Sequence, residues 1–307
     1  MARKLRIQYS GAMYHVINRG NYRRDLFVSP GEAKAFLETV REAKERMRWR
    51  VHAYALMSNH YHLALETSEP NLAEGMHWLQ GTWANRFNRF RKENGQLFQG
   101  RYRPLLIEDI TTMAKVVDYI HLNPVRAKIV PAEQVKAYRW TSLAGIVKGE
   151  GWVDGDGWRG GGRFGGDSGD RKAYETYLID VGRDEKAWEK LGLKGLSKGW
   201  AIGTSGWRRA IAKEHGEMAL NPGMELREIR ELREGAWEAS VQRELERLGK
   251  QEAEVLTRPK RQAWKIELAS AVRHHSGASV VWLADRLALG KPTSLRSYLC
   301  RHAANNQ

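Results

Sequence analysis

Apolar and polar positions along the first half of the chain change period several times, and each change marks an element. Tyr14–Arg19 (Tyr-His-Val-Ile-Asn-Arg) reads as a strand that stops at Gly20. Ser29-Pro30-Gly31-Glu32 carries the signature of a helix start: a serine N-cap, a proline in the first turn and a glutamate three residues after the cap. A basic amphipathic helix is predicted from there to about Arg48. Arg50–Met57 and His60–Thr67 are two apolar stretches joined at Ser58-Asn59, which predicts an antiparallel pair. Leu72, Met76, Leu79, Trp83, Phe87 and Phe90 recur at three- and four-residue spacing, so a second helix is expected over Leu72–Lys92, closed by Asn94-Gly95. Leu97–Glu108 is strand-like. Thr111 or Thr112 opens a third helix, with Val116, Val117 and Ile120 on its apolar side. The order is βαββαβα, with one helix of each repeat available to cover a single sheet face. That pattern predicts an α+β sandwich of the ferredoxin-like type.

A composition break follows. Ten residues of 149–170 are glycine, the signature of a flexible linker. The expected organisation is therefore a domain over 1–148, a linker over 149–170, a helical region over 171–250 with no role to read from it, and a helical C-terminal part over 251–307. Candidate helices are Tyr174–Asp180, Glu185–Leu191, Gly206–His215 and Met224–Gly249, the last a densely charged, solvated helix. Trp264–Arg273, Ser279–Leu287 and Thr293–Arg301 complete a three-helix pattern. Residues 280–299 resemble a helix-turn-helix, with Ala284 allowing close packing, Gly290 in the turn and Thr293 or Ser294 as the second cap. In that reading Ser294, Arg296, Ser297 and Arg301 face the major groove of duplex DNA. An ordinary small helical bundle is the alternative.

Charge sharpens the picture. The 307 residues carry 51 Lys and Arg against 36 Asp and Glu, a net +15. Residues 1–150 hold +10 (24 against 14), residues 151–250 hold zero (18 against 18) and residues 251–307 hold +5 (9 against 4). Two basic ends around a neutral middle point to a phosphate-rich partner; generic basicity is the alternative. No stretch approaches a membrane span, and no apolar run follows the basic start as in a secretory signal. Cys300 is the only cysteine, so no intrachain disulfide can form, and it reads as a small buried side chain. A cytoplasmic location is expected.

Two pairs of residues carry candidate chemistry. Alternate side chains of a strand share a face, so His60 and His62 project together, ~6.6 Å apart along the strand. They could converge on one metal ion, or be a pair of solvated histidines. Tyr119 and Asn123 are neighbours at i and i+4 of the third helix and could present a nucleophile and an oxygen ligand from one side. Pro124 biases Asn123 away from helical geometry, so the helix is expected to end near Leu122. Read alone, Tyr119 is equally a core or interface tyrosine.

Met57-Ser58-Asn59-His60-Tyr61-His62-Leu63 and Tyr119-Ile120-His121-Leu122-Asn123-Pro124-Val125-Arg126-Ala127 together resemble the single-tyrosine HUH transposases of insertion sequences, in particular their REP-associated tyrosine transposase branch. Tyr14-His15-Val16-Ile17-Asn18-Arg19-Gly20-Asn21 resembles that family's opening strand, and Phe98-Gln99-Gly100-Arg101-Tyr102 the segment before its tyrosine helix. The resemblance spans about residues 5–147. One position departs from it: Tyr61 stands where the family has an aliphatic residue.

The resemblance implies that His60, His62 and Asn123 bind Mg²⁺ or Mn²⁺ and that Tyr119 is the nucleophile. It further implies attack on single-stranded, hairpin-forming DNA, giving a 5′-phosphotyrosine and a free 3′-OH that allow strand transfer. A non-catalytic DNA- or RNA-binding regulator of the same fold, and a metal-dependent nuclease in which water attacks, are the rival readings. Arg19, Arg23, Arg24, Arg86, Arg89, Arg101 and Arg103 are candidate phosphate contacts, with a solvated basic face as the alternative for each. His121 is expected to point elsewhere on the helix. Oligomeric state is not legible.

Overall fold

The structure is a computed structural model that describes residues 7–149, 151–154, 168–193, 195–215, 230–255 and 262–305. The chain divides into two compact units, one of residues 8–204 and one built on residues 205–307.

The first unit is organised by a mixed sheet. β1 (Ala12–Arg19), α1 (Pro30–Met47), β2 (Trp49–Met57), β3 (His60–Thr67), α2 (Leu72–Arg91), β4 (Arg103–Ile107) and α3 (Ile110–His121) follow in the βαββαβα order. The strands lie β2-β3-β1-β4, all antiparallel, with a short parallel β5 (Ala201–Ile202) added beside β4. This is the α+β, ferredoxin-like arrangement that the sequence pattern predicts.

Alternation along the strands divides the core into two layers. Tyr61 on β3 packs against Phe36 of α1, and Phe36 meets Trp83 of α2, so α1 and α2 share one face. Ala53 and Ala55 of β2, Ala64 of β3 and Leu105 and Ile107 of β4 join Met113, Val116, Val117 and Ile120 of α3 in a second core on the other face. Small side chains on the strands let the third helix approach closely. Short elements complete this layer: the single turn α4 (Asn123–Arg126), a 3₁₀ segment Ala132–Ala137, α5 (Leu143–Lys148), α6 (Ser168–Arg183) and α7 (Glu185–Lys190).

Local chemistry explains the element ends. Ser29 and Glu32 form the expected capping box on α1. α2 ends at Arg91 on Lys92, which takes a left-handed conformation; Asn94-Gly95 lie beyond the cap. Asp109, rather than a threonine, caps α3 by accepting from the Thr112 amide at 2.7 Å. The strand expected over Leu97–Glu108 is confined to Arg103–Ile107; the residues before it instead meet β1 through an isolated bridge between Gly20 and Phe98.

The boundary expected at 149–170 does not divide the two units. Tyr174, Leu178 and Val181 of α6, with Trp188, Leu193 and Leu196, are buried in the same core as α3. Part of the glycine-rich stretch is also docked: Trp152 stacks on Tyr54, and the Asp154 carboxylate accepts from the Val51 amide at 3.0 Å. Residues 155–167, which hold most of those glycines, lie outside the described residues.

The second unit is helical: α8 (Ser205–Glu214), α9 (Arg230–Arg247), α10 (Glu252–Val255), α11 (Ala263–Ser276), α12 (Val280–Arg286) and α13 (Pro292–Asn305). Val241, Leu268, Val272, Leu283, Leu287, Leu295 and Leu299 form its core. Ser279 caps α12, and Gly290 sits in the turn with φ +85°. α13 opens at Pro292, so neither Thr293 nor Ser294 is its cap. The start of the helix expected over Met224–Gly249 lies outside the described residues. Cys300 is exposed on α13 rather than buried. Among the described residues, no helix is long and apolar enough to cross a membrane.

Candidate active site

Antiparallel register decides which side chains meet on the α3 face of the sheet. Ile17 lies opposite His62, Arg19 opposite His60 and His15 opposite Ala64. His60, His62, His15 and Ile17 therefore share one face, with His15 diagonal to His62. Arg103 lies opposite Ile17 on the other side of β1 and joins the same face. Tyr61 points the other way into the α1 and α2 layer, so the bulky residue between the histidines is a core residue.

α3 lays Tyr119 across this face. The rings of His62 and Tyr119 meet edge to face with centroids 5.9 Å apart, and His60 and His62 meet likewise at 5.1 Å. The chain turns after His121, with Leu122 between helical and bridge geometry, and continues as α4. Asn123 thus stays one turn from Tyr119, and its amide nitrogen donates to the Tyr119 carbonyl at 3.1 Å. These four residues line one cleft of about 630 Å³. His62 and Tyr119 are each 3% exposed and His60 is half-buried, so these are not solvated histidines.

Burial holds the histidines neutral. The His60 pKa is pushed down to about 4, mainly by burial and then by Arg19. His62 is held well below the usual range by burial, by its neighbours His15 and His60, and by Arg126 and Arg19. Neutral imidazole is the form that binds metal.

The residue set fits a divalent ion. Two neutral imidazoles stand together, and the Asn123 amide, its nitrogen already engaged, has its oxygen left to offer. Among the described residues no group of three His, Cys, Asp or Glu could hold a metal. Two imidazoles and an amide oxygen instead make an open set, which leaves positions for phosphate and water.

The arginines separate into groups. Arg19, Arg101 and Arg103 line the cleft. Arg23 is exposed, and its carbonyl accepts from Asn59, next to His60, at 3.4 Å. Arg24 is tied to Glu93 and lies over the Phe87 ring. Arg86 departs from the expected role. It is not among the cleft-lining residues, and its guanidinium makes a two-pronged pair with Glu42 at 2.8 and 2.9 Å while also donating to Thr39. A group so paired is committed to joining α1 and α2. Arg89 is exposed on α2 and also outside the cleft lining. In the second unit, Arg296 is exposed on α13 and Ser294 is half-buried.

Four residues at the site escaped the sequence reading. His15 contacts His62 directly, with 2.9 Å between nitrogens. Arg126 lies over the Tyr119 ring at 4.7 Å and over Trp188 at 5.4 Å. Ser197 and Lys198, from the stretch after α7, line the cleft. Strand parity placed His15 on the histidine face, and the i+7 spacing placed Arg126 below Tyr119, so those two left a signal. His121 turns away, as expected, and is buried between Tyr174 and Ser142.

Residues 8–123 match the family described as transposase IS200 like. The match ends at Asn123 and covers both histidines and Tyr119. A comparison with curated proteins finds no match. Two solved structures are similar. One is a REP-associated tyrosine transposase bound to a REP hairpin, at 18% identity and a TM-score of 0.40, over 55% of this chain and 92% of that one. The other was assigned as a transposase from Deinococcus radiodurans R1, at 19% identity and a TM-score of 0.29, over 42% of this chain and 92% of that one.

Proposed function

We propose that the first unit is a single-tyrosine, metal-dependent transposase of the REP-associated kind, which cleaves and rejoins single-stranded, hairpin-forming DNA. The observation that carries this reading is the meeting of Tyr119 with His60, His62 and Asn123 in one cleft. His60, His62 and Asn123 would hold Mg²⁺ or Mn²⁺. When bound, such an ion supplies Lewis-acid polarisation of a phosphate oxygen. Imidazole favours Mn²⁺ more than Mg²⁺, which prefers oxygen, so Mn²⁺ is expected to serve at least as well.

The chain's own groups account for the rest. Arg19, Arg101 and Arg103 present cationic ends to a strand lying in the cleft. The Tyr119 phenol oxygen forms a bond to phosphorus as the bond to the 3′ oxygen breaks. The protein then carries a 5′-phosphotyrosine, and the departing strand ends in a 3′-OH. Attack by another 3′-OH reverses the step onto a new partner, with no ATP required. In the second unit, Arg296, Ser297 and Arg301 are exposed along α13 while Leu295 and Leu299 turn inward, which supports a contact with duplex DNA through this helix.

Incubating the chain with labelled single-stranded hairpin DNA and Mn²⁺, then denaturing it, tests the reading. A detergent-resistant protein–DNA adduct that disappears in Tyr119→Phe is the expected result. Clean cleavage without an adduct would mean a nuclease that uses water. Binding without cleavage would mean a non-catalytic regulator.

A further inference from the structure

His15 is fully buried in the middle of β1, and both of its ring nitrogens are engaged. Nδ1 lies 2.8 Å from the Leu196 carbonyl oxygen, and Nε2 lies 2.9 Å from Nδ1 of His62. A carbonyl only accepts, so His15 Nδ1 must carry a proton and donate it. Full burial disfavours a charged imidazole, so the ring is taken as neutral. A neutral imidazole with its proton on Nδ1 has a bare Nε2, which can only accept. His62 must therefore donate from Nδ1. Its own single proton is then placed, and its Nε2 carries the lone pair.

We infer that His15 is a positioning residue: it relays the Leu196 carbonyl through two rings to fix His62 with Nε2 bare and turned to metal binding. This rests on the metal reading of the cleft. The rings of His15 and His62 are stacked with centroids 5.1 Å apart, and Tyr119 meets both edge to face, at 5.7 and 5.9 Å. The same hydrogen bond that sets the tautomer thus also limits rotation of His62 under the nucleophile. A parallel contact serves the other ligand: Asn59 Oδ1 lies 2.8 Å from Nδ1 of His60. An amide oxygen only accepts, so His60 Nδ1 donates and His60 too is left with a bare Nε2.

The relay begins outside the stretch shared with the transposase family. Leu196 is buried in the core that α6 and α7 build with α3. The carbonyl that fixes the ligand tautomer is thus held by residues beyond 8–123, which gives the stretch after α7 a role at the site beyond lining it.

The test uses the full chain with ¹⁵N-labelled histidine and no added metal. Long-range ¹H–¹⁵N spectra, assigned with His15→Gln and His62→Gln, report which ring nitrogen of each histidine carries the proton. Protons on Nδ1 of both His15 and His62 are expected; a proton on His62 Nε2 overturns the inference. Mn²⁺ affinity, measured by the loss of free-ion EPR signal, supplies a second readout. His15→Phe is expected to weaken binding roughly 10- to 100-fold, the usual effect of removing such a partner. His15→Gln, whose amide can bridge the same two groups, is expected to recover most of it. Should His15→Phe fail to fold, the wild-type spectrum and the Gln variant still decide. Wild-type binding with unchanged affinity in a folded His15→Phe overturns this inference alone. Failure of the wild type to bind Mn²⁺ overturns the metal reading and this inference with it.

Discussion

Arg126 shows how one side chain can serve both packing and chemistry. Its guanidinium lies over Tyr119 on one side and Trp188 on the other, so the planar cation is held between two rings. Each such contact contributes about 0.5–1 kcal/mol at an exposed site and more when desolvated. The positive charge stands beside the phenol that would receive a phosphate. Arg126→Met keeps an unbranched stem and removes the charge. Adduct formation in a single-turnover assay is expected to slow roughly tenfold, the equivalent of ~1.4 kcal/mol. A rate equal to the wild type would show that the guanidinium only packs. Asn123→Ala removes the amide oxygen and is expected to weaken Mn²⁺ binding while leaving the fold intact, since the only side-chain hydrogen bond of Asn123 among the described residues is from its amide nitrogen to the Tyr119 carbonyl.

At the level of elements, α1 and α2 are joined by a carboxylate that also caps a helix. Glu32 accepts from the amides of Val28 and Ser29 at 2.8 and 2.9 Å and from Arg91 at 2.5 Å. Burial alone would raise its pKa, but Arg91 and the two amides outweigh that and hold it below the ordinary carboxylate value. Glu32→Gln is expected to cost about 1–3 kcal/mol at pH 7, read by urea unfolding. The sign with pH follows from linkage. A depressed carboxylate contributes stability that is complete above its unfolded pKa and is lost as pH falls through its folded value. The gap between wild type and variant should therefore close below about pH 4.5. A gap that stays constant into acid would show that charge is not what Glu32 supplies.

Two glycines of α2 make opposite predictions. A methyl group at Gly75 would run into the Trp49 ring, whereas one at Gly81 meets nothing within 4 Å. Gly75→Ala is expected to destabilise by about 1–3 kcal/mol through overpacking. Gly81→Ala should stabilise by about 0.5–1 kcal/mol through helix propensity. Thermal melts of the two variants give the comparison. The strands behave similarly. Continuous apolar character was enough to place β2 and β3 to within a residue, because each buries a face in each layer. β4 was drawn too long because Leu97, Phe98 and Tyr102 are as buried as strand residues while this segment meets the end of β1 only through an isolated bridge.

For the molecule as a whole, the glycine-rich stretch is misleading as a boundary. α6 and α7 return after it and bury Tyr174, Leu178, Trp188 and Leu193 against α3. A fragment of residues 8–148 would expose this surface, whereas residues 8–204 keep it covered. The shorter fragment is expected to aggregate or lack a cooperative melt, and the longer one to unfold in one transition, as followed by circular dichroism. A stable, cooperative 8–148 fragment would show that α6 and α7 are accessory. The packing also bears on chemistry, because Trp188 reaches Arg126 and the Leu196 carbonyl reaches His15.

What the sequence determined by itself was everything carried by short-range periodicity: the order of elements, the ferredoxin-like arrangement, the shared face of His60 and His62, and the one-turn spacing of Tyr119 and Asn123. Those follow from the geometry of a strand or a helix and need no knowledge of neighbours. Tertiary structure decided what depends on residues far apart in the chain. It turned Arg86 into a tie between α1 and α2, carried α6 and α7 past the glycines into the α3 core, and set His15 between His62 and a carbonyl 181 positions away. Periodicity is silent on such contacts, since each is settled by which buried surfaces and hydrogen-bonding groups find one another when the layers close.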